Sequence, residues 1–479
     1  MTDDRYRSPL GTRYASPVMQ KLWGERHRIG LWRRVWLALA ESERELGLAI
    51  PDAAIAEMRA HLDDVDLAAA AEYEKRFRHD VMAHVHQFGD QAPSAKAFLH
   101  LGATSAFVTD NADVLVIREG LRILLGRTIA VLDALDHFAR KHAALPCLAY
   151  THFQPAQLTT VGKRATLWMQ DFALDVEELV NRLETQRLRG CKGTTGTQAS
   201  FLELFKGDHQ KVRELERRIA EKLGVPRTFP VTGQTYSRKA DSVVLDGLSG
   251  IAQSAAKMAT DLRLLQHEGE LLEPFEKDQI GSSAMAYKRN PMRAERICGL
   301  ARFVLSLQSN TAQTAATQWL ERTLDDSANR RLTLPEAFLA TDAILLLAQN
   351  ISAGIEVREA VIRGHVDAQM PFMATERLMM LGVEAGGDRQ ALHEIIRQHS
   401  LATAEVVAAG GPNNLLERIA ADRTFARVPT ARLQAELDPS LYTGRSSQQV
   451  GEFLQEYLHP LLTRARPLAT AASTEEIAV

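Results

Sequence analysis

Apolar residues recur at helical spacing along most of this chain. The first long stripe contains Leu31, Val35, Leu39 and Leu46, and Gly47 marks the predicted end of that helix. A second stripe covers residues 114–138 and contains Ile117, Leu121, Leu124, Val131, Leu135 and Phe138. Asp110 and Asn111 precede this stripe and are the candidate caps of the second helix.

The clearest stripe follows Ser237. Its members alternate steps of four and three residues: Val244, Leu248, Ile251, Ala255, Met258, Leu262 and Leu265. This spacing is a heptad seam, which requires partner helices along its whole length. Further long helical patterns cover roughly residues 161–188, 292–320 and 335–360.

Patterns typical of β-strands are nearly absent, so we predict an all-α protein. Its long helices would form a central bundle about 40 Å long, at a rise of 1.5 Å per residue. We predict an N-terminal helical domain (1–104), a central long-helix bundle (105–357) and a C-terminal helical domain (358–479). A bundle with several apolar faces often completes its core in an oligomer, so we expect assembly.

The composition is that of an ordinary globular protein, with 45% hydrophobic and 24% charged residues. A net charge of −3 gives no general field for nucleic acid or an anionic membrane, so a small anion would need a local basic cluster. The cysteines, Cys147, Cys191 and Cys298, show neither zinc nor disulfide spacing. Because no signal peptide or long apolar run is visible, we predict a cytoplasmic protein without a membrane span.

Three polar segments between the stripes are candidates for chemistry. His152 stands among polar residues just before Pro155, in a loop or at a helix start, and this setting suits either an oriented general acid or base or a structural histidine. Residues 192–198 lack nucleotide-loop spacing and form either an anion-binding loop or a plain turn. Residues 78–86 contain three histidines without a matched carboxylate, so structural histidines compete with a weak zinc pattern.

Two basic segments complete the set. Residues 281–291 combine small residues, hydroxyls and the cations Lys288 and Arg289, and Asn290 is predicted to cap the next helix. Cations beside a helix N-terminus would favour anions and lower the pKa of a nearby hydroxyl. Residues 321–331 add three arginines, which bind carboxylate and phosphate in bidentate fashion, although a salt-bridged helix connection is the alternative.

These segments resemble a known family. Gly281-Ser-Ser-Ala-Met-x-x-Lys-x-Asn-Pro291 is similar to the mobile catalytic loop of the fumarase/aspartase superfamily. Together with residues 78–86, 100–105, 151–157, 192–198 and 322–331, it resembles the adenylosuccinate lyases, from Arg5 to Arg445. The resemblance implies a cofactor-free, metal-free homotetramer that eliminates fumarate from succinylated purine precursors at active sites shared between subunits.

The resemblance also implies roles for individual residues. His152 would be the general acid and Ser282 the general base, with Lys288 steadying carboxylates and Glu295 pairing with His152. His79 would complete the catalytic set and help to hold the substrate. The implied substrate-binding residues are Arg13, Tyr14, Arg78, Asp80, Thr104, Ser105, Gln234, Arg296, Arg322, Ser327 and Arg331.

One residue departs from the family pattern, because Ala286 stands where the catalytic loop usually has proline. We expect a more mobile loop and an effect on rate or closure rather than on the reaction. Argininosuccinate lyase, fumarase, aspartase and a carboxymuconate cycloisomerase share the serine loop and are the alternative activities. A catalytically inactive scaffold, as in lens crystallins of the superfamily, is the alternative from another class.

Overall fold

The computed structural model describes residues 5–276, 279–281, 283–285 and 287–471, and most of them lie in α-helices. The N-terminal part contains α1 (Pro17–Leu22), α2 (Glu25–Glu45), α3 (Asp52–Ala60), α4 (Leu67–Phe77) and α5 (Asp80–Gln91). The central part contains α6 (Ser105–Lys141), β1 (Pro146–Thr151), β2 (Gln154–Thr160), α7 (Val161–Thr185), α8 (Ala199–Leu204), α9 (His209–Lys222), α10 (Lys239–His267), β3 (Leu271–Leu272), α11 (Met292–Ala316) and α12 (Asp325–Gly354).

The C-terminal part is built of shorter elements. It contains β4 (Glu356–Val357), α13 (Glu359–Met373), α14 (Thr375–Glu384), α15 (Arg389–Ala408), α16 (Leu415–Ala421), α17 (Thr430–Ala435), α18 (Ser446–Glu452) and α19 (His459–Ala465). Short 3₁₀ or π-helical turns lie at Leu10–Tyr14, Pro93–Ala95, Arg423–Phe425, Pro439–Tyr442, Phe453–Leu458 and Arg466–Leu468. The three-domain division stays a prediction.

The heptad seam lies on α10, and every one of its seven predicted members is buried. The helix packs against α7, α11 and α12, which supply the partners that a seam of this length requires. The helix predicted from Leu31 is also confirmed, since α2 ends just before Gly47, whose φ of 101° only glycine adopts readily. The prediction of an all-α fold with long central helices is therefore confirmed.

Two predicted helix starts and one predicted helix cap are wrong. Helix α6 begins at Ser105, and Asp110 and Asn111 lie inside it and are buried. Helix α12 begins at Asp325 and contains Pro335, where the pattern was predicted to start. Helix α11 begins at Met292, and its free N–H groups are capped by a distant carboxylate rather than by Asn290. Apolar periodicity identifies the buried stretch of a helix, so it does not detect a first turn that consists of polar residues.

Strands are few but important. β1 and β2 form an antiparallel hairpin between α6 and α7, and β3 pairs with β4. The hairpin register joins Pro146 to Thr160 and Thr151 to Gln154, so His152 and Phe153 form the turn itself. The prediction of a loop at His152 holds, but sequence periodicity did not predict the strands that carry it.

The core is shared between two hydrophobic clusters. The larger cluster joins α2, α6, α7, α10, α11 and α12 with the C-terminal helices α18 and α19. The smaller lies among α14–α17, around Leu378, Ile419 and Phe425. Helix α12 is long and apolar enough to cross a membrane by length and composition, but 67% of its most apolar window is buried under neighbouring helices, so it is a core helix.

Glu43 on α2 is wholly buried, and neither carboxyl oxygen has a hydrogen-bond partner among the described residues. Burial raises its pKa from 4.5 to about 9. The unfolded chain therefore loses this proton near pH 4.5, whereas the folded chain holds it until about pH 9. The associated stability is full below pH 4.5 and is lost as the pH rises towards 9.

We expect Glu43→Gln to gain stability relative to the wild type as the pH rises. Because glutamine does not ionise, the difference between the two proteins should shift by up to about 4 kcal/mol between pH 5 and pH 8. Urea unfolding at both pH values measures the shift. The comparison at pH 5 controls for the change of side chain, and a difference that is independent of pH would contradict the burial of an uncharged carboxyl.

Candidate active site

A cleft of about 1010 Å³ lies where the starts of α5, α6 and α12 approach the segment before α10. This volume is sufficient for a nucleotide-sized ligand. Nine residues predicted from the sequence line it: Arg78, His79, Asp80, Thr104, Ser105, Gln234, Arg322, Ser327 and Arg331. The structure thus brings together side chains from four separate segments of the chain.

His79 and Ser105 meet at the starts of two helices. His79 is the N-cap of α5, and its Nδ1 accepts from the backbone N–H of Met82 at 3.4 Å. Its Nε2 lies 3.3 Å from Oγ of Ser105 in the first turn of α6. Two helix N-termini at one rim of the cleft place partial positive charge there, which favours an anionic ligand.

His100 supports the turn that leads to Thr104 and Ser105. Its backbone has a φ of 63°, and its Nδ1 accepts a hydrogen bond of 2.9 Å from Nε1 of Trp36. Burial lowers the pKa of His100 to about 4, so the ring is neutral at physiological pH and can accept this bond. His100 therefore has a structural role beneath the cleft.

The deep wall of the cleft is a buried ionic cluster. Arg238 pairs with Asp110 at 3.1 Å and with Asp326 at 2.6 Å. Arg330 pairs with Asp241 at 2.7 Å and with Asp113 at 2.9 Å. Tyr236 joins the two halves, because its Oη donates to Asp241 at 2.6 Å and accepts from Arg330 at 2.7 Å, while its backbone N–H donates to Asp110 at 3.0 Å. Because carboxylates of the same chain already neutralise these two arginines, they shape the wall of the cleft and are not free cations for a ligand.

The outer arginines are better placed for a ligand. Arg331 is exposed and pairs with Asp80 at 2.9 Å, and Arg322 is half-buried and pairs with Asp326 at 2.6 Å. Arg78 is exposed, has a φ of 55°, and makes no ion pair within the described part of the chain. An anion entering the cleft would therefore meet Arg78 first and compete with Asp80 for Arg331.

His152 lies outside this cleft, at the tip of the β1–β2 hairpin. His152 and Phe153 have φ values of 54° and 56°, as a two-residue type I′ turn requires. Residues with a Cβ adopt the positive-φ region of backbone conformation at an energetic cost, and strained positions of this kind concentrate at functional sites. His152 is exposed, so its imidazole is free to meet groups from outside its own chain.

No described residue of the predicted catalytic loop lines the cleft. Ser282 and Ala286 are outside the described residues, and Lys288 is exposed. Arg289 pairs with Glu356 at 2.7 Å, so it is not the free second cation that the sequence indicated. The loop is held at its base by a 2.8 Å hydrogen bond from Asn290 to the carbonyl of Gly281.

The N-terminus of α11 is not available to an anion. The carboxylate of Glu273 accepts from the backbone N–H groups of Arg293 at 3.1 Å and Ala294 at 3.0 Å. Glu273 is itself buried, so it is a built-in capping anion. The prediction that this helix end lowers the pKa of a loop hydroxyl is therefore wrong.

The remaining predicted residues form a further group. Arg296, on the second turn of α11, lies over the ring of Tyr14 at 5.7 Å from its centroid. Arg13 is the exposed neighbour of Tyr14, in the π-helical turn that precedes α1. Glu295 is exposed, and no contact joins it to His152 within the described chain, so their pairing stays a prediction.

One of two sequence alternatives is resolved towards a structural role. Lys192 is buried and pairs with Glu216 at 2.7 Å, so it is not a free cation, but Thr194, Thr195 and Thr197 are exposed, and both an anion-binding loop and a plain turn stay interpretations of residues 192–198. His84 is buried against Trp32, and burial lowers its pKa to about 4. His86 stacks on Tyr73. The described residues contain no group of three or more His, Cys, Asp or Glu side chains that could hold a metal ion.

Sequence reasoning missed Arg238, Tyr236 and the acidic residues of the ionic wall. One signal was present: Asp110 stands seven residues before Ile117 and therefore lies on the same buried face of α6. A charged residue in the phase of an apolar stripe indicates a buried ion pair. The identity of its partner, 128 positions away, had no local signal.

Comparisons with known proteins agree with this geometry. Residues 15–305 match the family described as Lyase, and residues 371–453 match the one described as Adenylosuccinate lyase C-terminus. The adenylosuccinate lyase of Saccharomyces cerevisiae is 51% identical, covering 95% of each chain. That of Schizosaccharomyces pombe is 47% identical, covering 97% of each.

Solved structures show the same fold. The 3-carboxy-cis,cis-muconate lactonizing enzyme of Pseudomonas putida has a TM-score of 0.79 at 24% identity, covering 95% of this chain and 98% of that one. The fumarate lyase of Mesorhizobium sp. BNC1 has a TM-score of 0.77 at 24% identity, covering 92% and 98%. The match of residues 15–305 to the Lyase family defines the chain as a lyase. The chain belongs to the adenylosuccinate lyase family.

Proposed function

We propose that this chain is a C–N lyase that eliminates fumarate from adenylosuccinate, leaving AMP. The same site would convert the succinylaminoimidazole carboxamide ribotide into aminoimidazole carboxamide ribotide, so that both reactions serve purine biosynthesis. One observation carries the proposal beyond family membership: the predicted substrate-binding residues of four distant segments line a single cleft. Arg78, Arg322 and Arg331 would bind the phosphate and carboxylates of these anionic substrates.

The reaction begins with loss of a proton from the succinyl carbon next to a carboxylate. Ser282 would take this proton, as the loop motif implies. Serine is a weak base unless positive charge stabilises its alkoxide and water is excluded. Since Glu273 occupies the amides of α11, Lys288 is the cation of the loop that is left for this task.

The carbanion that results shares its charge with the adjacent carboxylate. Lys288 and the loop amides would stabilise that charge where it develops. The bond from carbon to nitrogen then breaks, its electrons move to nitrogen, and His152 donates a proton there. Positioned acid or base groups of this kind contribute about 10²- to 10⁴-fold each to the rate.

The separation of the parts supports a site assembled from several copies of the chain. His152, Lys288 and the Tyr14–Arg296 pair do not line the cleft that holds the other predicted residues. We propose a cytoplasmic homotetramer in which one subunit supplies the cleft and others supply the His152 turn and the loop. In this scheme a side chain of the protein carries out each proton transfer, so no metal or organic cofactor takes part.

Incubation of the purified protein with adenylosuccinate is expected to yield AMP and fumarate in equal amounts. The ultraviolet absorbance change follows turnover, and chromatography of the products checks the ratio. Argininosuccinate, malate, aspartate and carboxymuconate are the matched control substrates for the other superfamily activities. Conversion of one of these without cleavage of either succinylated ribotide would contradict the proposal, and binding of adenylosuccinate without turnover would indicate an inactive scaffold.

A further inference from the structure

The turn that carries His152 is strained, yet it projects from the chain with little support of its own. Both turn residues have positive φ, and Phe153 is 47% exposed. A strained backbone persists only where its surroundings hold it in place. Support must therefore come from the base of the hairpin, where β1 and β2 meet the body of the protein.

Glu270 lies at that base. It follows α10, is fully buried, and its Oε1 accepts from the hydroxyl of Tyr150 at 3.3 Å. Tyr150 stands two residues before His152 on β1, opposite Pro155. The same Oε1 lies 2.9 Å from Nδ1 of His365 on α13. Because a carboxylate only accepts, Nδ1 of His365 carries the proton in this bond.

Arg164 on α7 completes the support. Its guanidinium lies 3.8 Å from Oε2 of Glu270 and 5.9 Å from the ring centroid of Tyr150, and it also donates to the carbonyl of Leu148. One buried carboxylate therefore ties the hairpin to two helices. Tyr150 in turn contacts the ring of Phe153 at 5.7 Å, which connects this base to the turn.

We propose that Glu270 is a positioning residue that sets the His152 turn, acting through Tyr150 and backed by Arg164 and His365. The inference rests on the proposed function in taking His152 as the proton donor. Oε2 of Glu270 has no hydrogen-bond partner among the described residues, and a buried carboxylate paired so incompletely is costly, so its place beside a strained turn points to a role in geometry. It also connects the C-terminal part of the chain to the active site.

Glu270→Gln and Tyr150→Phe are each expected to lower kcat about 10- to 100-fold, because small misplacements of a reacting group have effects of this size. KM should change less than about twofold, since neither residue lines the cleft. The double variant should be no slower than the slower single variant, because both changes break one chain of contacts. Hydrogen exchange of residues 146–160 should accelerate in both single variants.

The control is Glu43→Gln, which changes another fully buried glutamate on α2, away from the hairpin. It should keep the kcat and the hairpin exchange of the wild type. The proposal would be overturned if the two losses of kcat multiplied in the double variant, or if Glu270→Gln left the hydrogen exchange of the hairpin unchanged. If Glu270→Gln folds poorly, Tyr150→Phe provides the same tests. Exchange needs no turnover, so the positioning of the hairpin is still measured if His152→Ala stays active, a result that would contradict His152 as the proton donor.

Discussion

His152→Ala and Ser282→Ala are each expected to lower kcat about 10²- to 10⁴-fold while substrate still binds. In the proposed mechanism Ser282 takes the proton from carbon and His152 protonates the leaving nitrogen, so each variant lacks one of the two proton transfers. Steady-state assays with adenylosuccinate measure kcat, and calorimetric titration measures binding. If Ser282→Ala kept more than a tenth of the wild-type rate, the assignment of the base would be wrong.

Mixing the two inactive variants provides a sharper test of where these residues lie. If different subunits supply His152 and Ser282, about a quarter of the sites in randomly re-associated tetramers should contain both intact residues. Activity should then return to about that fraction of the wild type. The control is each variant dissociated and re-associated alone, which should stay inactive. A mixture in which mass spectrometry detects hybrids but no activity returns would argue against shared sites.

Arg330→Met is expected to destabilise the protein by about 3–5 kcal/mol, the cost of removing one partner from a buried ion pair. The change leaves Asp241 and Asp113 without their common cation and removes a donor to the hydroxyl of Tyr236. Burial already raises the pKa of Asp113 against the opposing pull of Arg330, so losing the arginine adds to that strain. Thermal and urea unfolding of the variant measure the loss.

The adjacent arginine is the matched control. Arg331 is exposed and pairs with Asp80 at the rim, so Arg331→Met should cost less than about 1 kcal/mol of stability. It should instead weaken the binding of AMP, because Arg331 lines the cleft. Equal losses of stability in the two variants would contradict the distinction between the wall of the cleft and its rim.

Much of the architecture was predictable because it depends on local periodicity. The seam from Val244 to Leu265 has one apolar residue every three or four positions, and such a stripe can only be satisfied by partner helices. The loop motif from Gly281 to Pro291 and the residues around His79 and His152 indicated the family from residue types in order. These features are properties of short segments, so the sequence contains them without reference to the fold.

The hairpin under His152 could not be predicted in the same way. β1 and β2 have six and seven residues, and their burial does not alternate cleanly, so no period-two pattern distinguishes them. The cap of α11 escaped prediction for another reason. Local rules favour a residue adjacent to the helix, but the capping carboxylate of Glu273 comes from 20 positions before Arg293.

The sequence by itself determined the helical class, the long core helices and the family to which the catalytic segments belong. Tertiary structure alone decided which charges neutralise one another, as in the pairing of Arg330 with Asp113 across 217 positions. It also decided that Lys192 and Arg289 are occupied by internal carboxylates. The apolar residues that a helix buries can be identified from their spacing within one segment. The partner of a charged residue, by contrast, depends on which segments the folded chain brings within a few ångströms of it.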